Sequence, residues 1–325
     1  MIDLIIRQLL IPIVVVATLF DSLSAKAQIT VPDTVTCGVY ITSIHNIDFK
    51  EKEYTINLWL WLKYKNRKFD FLQNLEVPQA KTVNRSFATI DSSHEKVYLL
   101  MKLQCVMKDE WATENFPFDK QKLRFSIENS QFDSKALVFL ADTQGKQFDP
   151  RFTLRKWSFD SVNISVGTKI YETSFGDPAI TTPKTEYSTF RVRMQIERAA
   201  MGLFWKMFLG MYLAFLIAYM CFYIHTDNID SRFSLSVGAL FAVIGNKYIV
   251  DSSLPESTTF TLVDTLHGIT LFFILIVMAA NSYVLKLAKQ GMDAKAKRVD
   301  LLFSQVLLAA YLILNVVYIY RATRG

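Results

Sequence analysis

The sequence predicts an exported, all-β domain followed by a bundle of four membrane-spanning helices. Three observations predict it. The 325 residues are 51% hydrophobic with a mean hydropathy of +0.21, too apolar for an ordinary soluble chain, and the excess is concentrated towards the two ends. The middle of the chain alternates apolar and polar residues with a period of two, the signature of strands. The last third holds four apolar runs of spanning length.

At the N-terminus, Arg7 precedes the apolar run Leu9 to Phe20, and the "AKA" of Ala25 to Ala27 offers small residues at the spacing signal peptidase reads. Residues 1–27 are therefore expected to be a removed signal peptide, which places the adjoining domain outside the cytoplasm. The alternative is an uncleaved anchor, but the run is shorter than the ~20 residues a span requires.

Residues 28–198 read as strands and turns. In "YTINLWLWLKYKN", Ile56, Leu58, Leu60 and Leu62 alternate with Asn57, Trp59, Trp61 and Lys63, so one face is expected inward and the other outward. Similar runs occur at 97–107, 122–127, 137–140, 156–166 and 188–197, separated by turn-rich stretches such as "ENSQFDS" and "SFGDPAITTPK". With no amphipathic helix between them, these strands favour two antiparallel sheets in an immunoglobulin-like sandwich.

The expected helices of the membrane domain, residues 199–325, cover about 201–224, 231–251, 260–287 and 298–320. The connection between the last two carries Lys286, Lys289, Lys295, Lys297 and Arg298. The positive-inside rule puts that connection in the cytoplasm, and counting spans puts the first domain and the C-terminus outside. Three of the runs are conventionally apolar; the second contains Ser234, Ser236, Gly238, Gly245, Asn246 and Lys247. Within it Asp230, Ser234, Gly238, Phe241, Gly245, Tyr248 and Ser252 recur at intervals of three and four, which sets them on one helix face. Such a face suits either a water-filled pore or close packing inside a bundle, and the residues by themselves leave both open.

Other classes find little support. The net charge of +6 is not arranged as a basic stripe with interleaved aromatics, so no nucleic-acid partner is expected. His45, His94, His225 and His267 have no ligand spacing, and no nucleophile motif or paired carboxylates stand out, so neither an enzyme, a cofactor nor a bound metal is expected. His267 reads as a buried, hydrogen-bonded residue. Cys37 and Cys105 leave a disulfide and two reduced thiols equally open, while Cys221 lies within the first span.

Four motifs then act together: "NLWLWLKYKN" at Asn57 to Asn66, "FPFD" at Phe116 to Asp119, "IER" at Ile196 to Arg198 just before the first span, and "DSSLPES" after the second. With them the chain resembles the pentameric ligand-gated ion channels of the Cys-loop receptor superfamily. No cysteines bracket "FPFDKQKL" and no large insert separates the last two helices, which is similar to the bacterial members.

The resemblance implies a homopentamer in membrane lipid, opened by a small-molecule or ionic agonist and passing permeant cations. The second helix would line the pore with the seven-residue stripe. Asp230 would form a carboxylate ring, Phe241 a hydrophobic constriction and Tyr248 a second candidate gate. Arg232 would reverse the selectivity if it faced the lumen instead; in the family a basic residue near this position commonly points off the axis. Coupling to the gate would involve Asp48 or Glu51, Phe116, Pro117, Phe118, Asp119, Arg198 and Pro255, with an Arg198–Asp119 ion pair expected. An agonist pocket for a cationic amine would take Trp59 from the complementary subunit and Phe87, Phe132, Tyr171, Phe175 and Tyr187 from the principal one. The competing class is a membrane-anchored periplasmic binding or sensor protein that conducts nothing.

Overall fold

The computed structural model describes residues 31–93, 95–149, 151, 154, 156–178, 180–225, 228–254 and 259–324. The expected signal peptide and Pro255 lie outside them.

Nine strands carry the first domain among these residues: β1 (Asp33–Asp48), β2 (Glu53–Tyr64), β3 (Leu75–Glu76), β4 (Ala80–Asp91), β5 (Val97–Lys108), β6 (Lys120–Asn129), β7 (Leu137–Ala141), β8 (Trp157–Tyr171) and β9 (Thr185–Arg198). A single helical turn, α1 (Phe71–Asn74), is capped by the Asp70 carboxylate, which accepts from the Leu72 and Gln73 amides. The strands form two sheets, ordered β4-β5-β2-β1-β7 and β3-β6-β9-β8.

The period of two does what it predicts. Ile56, Leu58, Leu60 and Leu62 of β2 are fully buried beside Leu99, Met101, Leu103 and Cys105 of β5. From the other sheet Leu123, Phe125 and Ile127 of β6 and Phe190, Val192, Met194 and Ile196 of β9 complete the same core. Burying a side chain of this size contributes about 1.5–3 kcal/mol, so this double row is the main stabilising feature of the domain.

The structure corrects the expectation in three places. Pairing is not antiparallel throughout: β7 arrives from the other sheet and lies parallel to β1, Asp33 opposite Leu137 and Cys37 opposite Ala141. A strand entering by a crossover is free of the hairpin constraint that enforces antiparallel neighbours. Second, β1 and β4 are full strands that the alternation did not reveal. Third, Cys37, Cys105 and Cys221 are all free and buried, which closes the disulfide alternative. Burial pushes the Cys37 thiol well up and the Cys105 thiol up to about 12, which favours the protonated form of both.

The second part of the chain holds four helices long and apolar enough to cross a membrane: α2 (Ala200–Tyr219, prolonged by a 3-10 turn to Tyr223), α3 (Ile229–Asp251), α4 (Leu262–Lys289) and α5 (Asp293–Arg324). A reciprocal capping box starts α4. Thr261 accepts from the Asp264 amide, and Asp264 accepts from the Thr261 amide. Gly291, with φ of 73°, breaks the chain between α4 and α5. The basic residues expected in a linker there are helical instead, Lys286 and Lys289 ending α4 and Lys295, Lys297 and Arg298 opening α5. Apolar runs locate the part of a helix that meets hydrocarbon, and its polar continuation beyond the bilayer is invisible to that test.

The two parts meet where the Leu262 amide donates to the Glu114 carbonyl at 2.8 Å and Phe118 lies 5.5 Å from Phe204 of α2.

Candidate functional site

α3 has two faces of opposite character. Arg232, Ser236, Ala239, Val243 and Val250 are buried against the rest of the chain. On the other side all seven residues of the expected stripe, Asp230, Ser234, Gly238, Phe241, Gly245, Tyr248 and Ser252, are exposed within the single chain. Phe241 and Tyr248 are 67% and 75% exposed, large rings largely uncovered within the chain. Val237, Ile244 and Ile249 flank the stripe and are exposed as well, whereas Leu235 and Leu240 are half-buried.

Arg232 is on the buried side. Its Nη2 donates to Asp300 of α5 at 2.5 Å, Nε and Nη2 donate to the Ile224 carbonyl at 3.1 and 2.9 Å, and Nη1 donates to Asn281 Oδ1 of α4 at 3.2 Å. The two charged side chains are 4% and 10% exposed. The guanidinium therefore ties α3 to α4 and α5 while Asp230 is left on the exposed face. At the other end of α3, Lys247 pairs with Asp251 at 2.6 Å and with Asp264 at 2.7 Å, and Asn246 Oδ1 meets His267 Nε2 at 3.0 Å. His267 Nδ1 reaches the Val263 carbonyl at 2.8 Å, so this histidine is buried and hydrogen-bonded. Three of the polar residues that made this run unusual, Ser236, Asn246 and Lys247, thus turn towards the rest of the chain.

At the junction Arg198, the last residue of β9, donates to Asp119 from Nε at 2.8 Å and from Nη2 at 3.2 Å. The pair is 9% and 1% exposed, and Gln121 donates a further 2.7 Å bond to Asp119. This is the ion pair the sequence led us to expect. Phe116 lies against the guanidinium at 4.8 Å, and Phe118 reaches α2. Pro117 is joined to Phe116 through a cis peptide bond. Asp48 and Glu51 do not join. Asp48 instead accepts from the Glu51 amide at 2.9 Å, and the residue between them that reaches Arg198 is Phe49, at 4.7 Å. The missed contributors are Phe49 and Trp157, aromatic residues distant in sequence from the "FPFD" motif.

The aromatic residues expected to bind a ligand fall into separate groups. Tyr171, Phe175 and Tyr187 gather at 5.5–6.3 Å around the end of β8 and the start of β9, each edge-on to the others. Phe132 instead packs on the core beside Phe69 at 4.8 Å. Phe87 lies apart from Tyr171, Phe175 and Tyr187 within the chain. It projects from β4 in the first sheet and stands 5.7 Å from Trp59 of β2, with the Lys102 ammonium 5.7 Å over the Trp59 ring. Within one chain, Trp59 and Phe87 form one surface and the three residues of the second sheet another.

A residue that the sequence pattern did not single out sits with that second group. Glu128 of β6 is buried, and accepts from the Tyr171 hydroxyl at 2.8 Å and from the Thr189 hydroxyl at 2.9 Å. Burial, then the neighbouring Glu128 charge, push the Glu76 carboxyl above its ordinary value. Burial and the bond to Glu128 push Tyr171 well up, so its hydroxyl remains a donor. Glu128 and Thr189 open onto a cavity of about 320 Å³ that Lys169, Arg191 and Arg193 also line. The strand parity carried the signal: Phe125 and Ile127 face the core, so Glu128 had to lie on the other face.

The class these features define is a multi-pass membrane protein with a strand-rich N-terminal domain of two sheets. Comparison with protein-family models and with curated proteins finds no match for the chain.

Proposed function

We propose that the chain is one subunit of a homopentameric ligand-gated ion channel, similar to the bacterial members of the Cys-loop superfamily. In this reading the strand domain is an immunoglobulin-like sandwich outside the cell membrane, α3 lines the pore, and the C-terminus is outside. The single observation that carries the reading is α3 itself. Asp230, Ser234, Gly238, Phe241, Gly245, Tyr248 and Ser252 share an exposed face, and the nearby cation, Arg232, is held on the opposite one.

Five copies of that face around an axis would give a carboxylate ring at Asp230 and rings of Phe241 and Tyr248 further along. With the guanidinium neutralised by Asp300, the ring charge is negative, and the selectivity is for cations. The agonist fits between Tyr171, Phe175 and Tyr187 of one subunit and Trp59 with Phe87 of the next. The Arg198–Asp119 pair transmits the change to the helices.

Cysteine substitution along α3, combined with bilayer recording, tests this. Cysteines at 234, 238, 241 and 245 should react with aqueous thiol reagents and block current, and those at 239 and 243 should not. Asp230→Asn should shift the reversal potential in asymmetric salt towards zero. A face that stays unreactive in every condition, in a protein that carries no current, would leave an anchored sensor as the better description.

A further inference from the structure

We propose that Trp157 and Phe49 position Arg198 at the junction by cation–π attraction, with Asp119 as its ion-pair partner; the switching part of this proposal rests on the coupling role given to the junction above. The guanidinium carbon is 4.1 Å from the centroid of Trp157, 4.7 Å from Phe49 and 4.8 Å from Phe116. All three lie inside the ~6 Å range of this interaction.

The rings come from three separate segments: the β1–β2 turn, the loop before β6 and the first residue of β8. Phe49 is stacked on Trp111 at 4.8 Å and 16° and nearly parallel to Trp157 at 5.9 Å and 14°, so its orientation is set by neighbours on both sides. The Trp111 indole donates to the Asp48 carbonyl at 3.0 Å, which anchors the turn that carries Phe49.

The chemistry rests on how the guanidinium is enclosed. Its side chain is 9% exposed and has lost most of its water, and the Asp48 carboxylate accepts from the Glu51 amide within the turn. Asp119 satisfies one edge of the fork. The negative faces of Trp157, Phe49 and Phe116 stabilise the remaining positive charge. Such an enclosure is sensitive to geometry, because moving the β1–β2 turn against β8 withdraws ring faces from the charge without breaking the ion pair.

Fluorine separates this from ordinary packing, since it drains π-electron density and barely changes ring shape. Tryptophan carrying zero to four fluorines is placed at position 157 of the full chain by nonsense suppression, with the same series at Trp205, which is exposed on α2. The thermal midpoint in detergent and the half-activating stimulus in bilayers are both read. The expected result is a stepwise fall in thermal midpoint at position 157, about 4 °C in total, and no trend at 205. Phe49→Leu should lower the midpoint and Phe49→Tyr should restore it. The half-activating stimulus should move monotonically with fluorine number.

A flat thermal series at 157, or an equal slope at 205, overturns the proposal. A thermal trend with an unmoved half-activating stimulus overturns the switching role of the cage. If even the unmodified protein conducts nothing, the channel reading falls, and the thermal series still decides whether the cage holds Arg198.

Discussion

Glu128 and Glu76 show how much a pair of carboxylates depends on its surroundings. Glu128 is held by two hydroxyl donors, and the affinity of Glu76 for a proton is raised first by burial and then by the Glu128 charge. A carboxyl whose folded value lies above its unfolded one stabilises the fold least once both states are ionised. Stability is lost as pH rises from the unfolded value through the folded one. Glu76→Gln, which mimics the protonated form, should therefore be more stable than the parent at neutral pH. The advantage should vanish in acid below the unfolded value, as thermal unfolding across pH will measure. Neither acid was singled out in the sequence, because a Glu beside an apolar strand residue is ordinary until the strand's partner is known. Arg198 and Asp119 were legible because both fall in motifs, whereas Phe49 and Trp157 reach them only through tertiary structure.

Helix α3 is the element in which pattern and structure agree best. Intervals of three and four placed seven residues on one face, and the buried set at Arg232, Ser236, Ala239, Val243 and Val250 occupies the other. What the pattern could not supply was the rotation of Arg232, whose partner Asp300 is on a helix much later in the chain. Asp300→Leu leaves the guanidinium enclosed without its partner and should cost about 3–5 kcal/mol in unfolding experiments in detergent. The double variant Arg232→Leu with Asp300→Leu should recover most of that loss. Phe241→Ala should raise the resting leak measured in bilayers, since five rings at that level are the proposed constriction. Strands were less evenly legible than this helix. β2 alternates cleanly, but the register of β1 shifts between Ile41 and Ser43, which breaks its period, and β4 is exposed along nearly its whole length and has no inward row to betray it.

At the scale of the whole molecule, one chain leaves large apolar side chains uncovered. Phe241, Ile244, Tyr248 and Ile249 of α3 stand uncovered, and Trp59 with Phe87 is separated from Tyr171, Phe175 and Tyr187. In the proposed pentamer, neighbouring copies would cover the first and bring the second together. The detergent-solubilised protein should accordingly have the mass of five chains by light scattering, and a monomer would remove the basis for both sites.

The bond between the Leu262 amide and the Glu114 carbonyl carries its own mechanical consequence. It fastens the start of α4 to the strand domain one residue past the Thr261 cap. In the proposed channel a tilt of the strand domain would reach α3 in part through the Lys247–Asp264 strut, and slow isotope exchange at the Leu262 amide would report whether that fastening stays engaged.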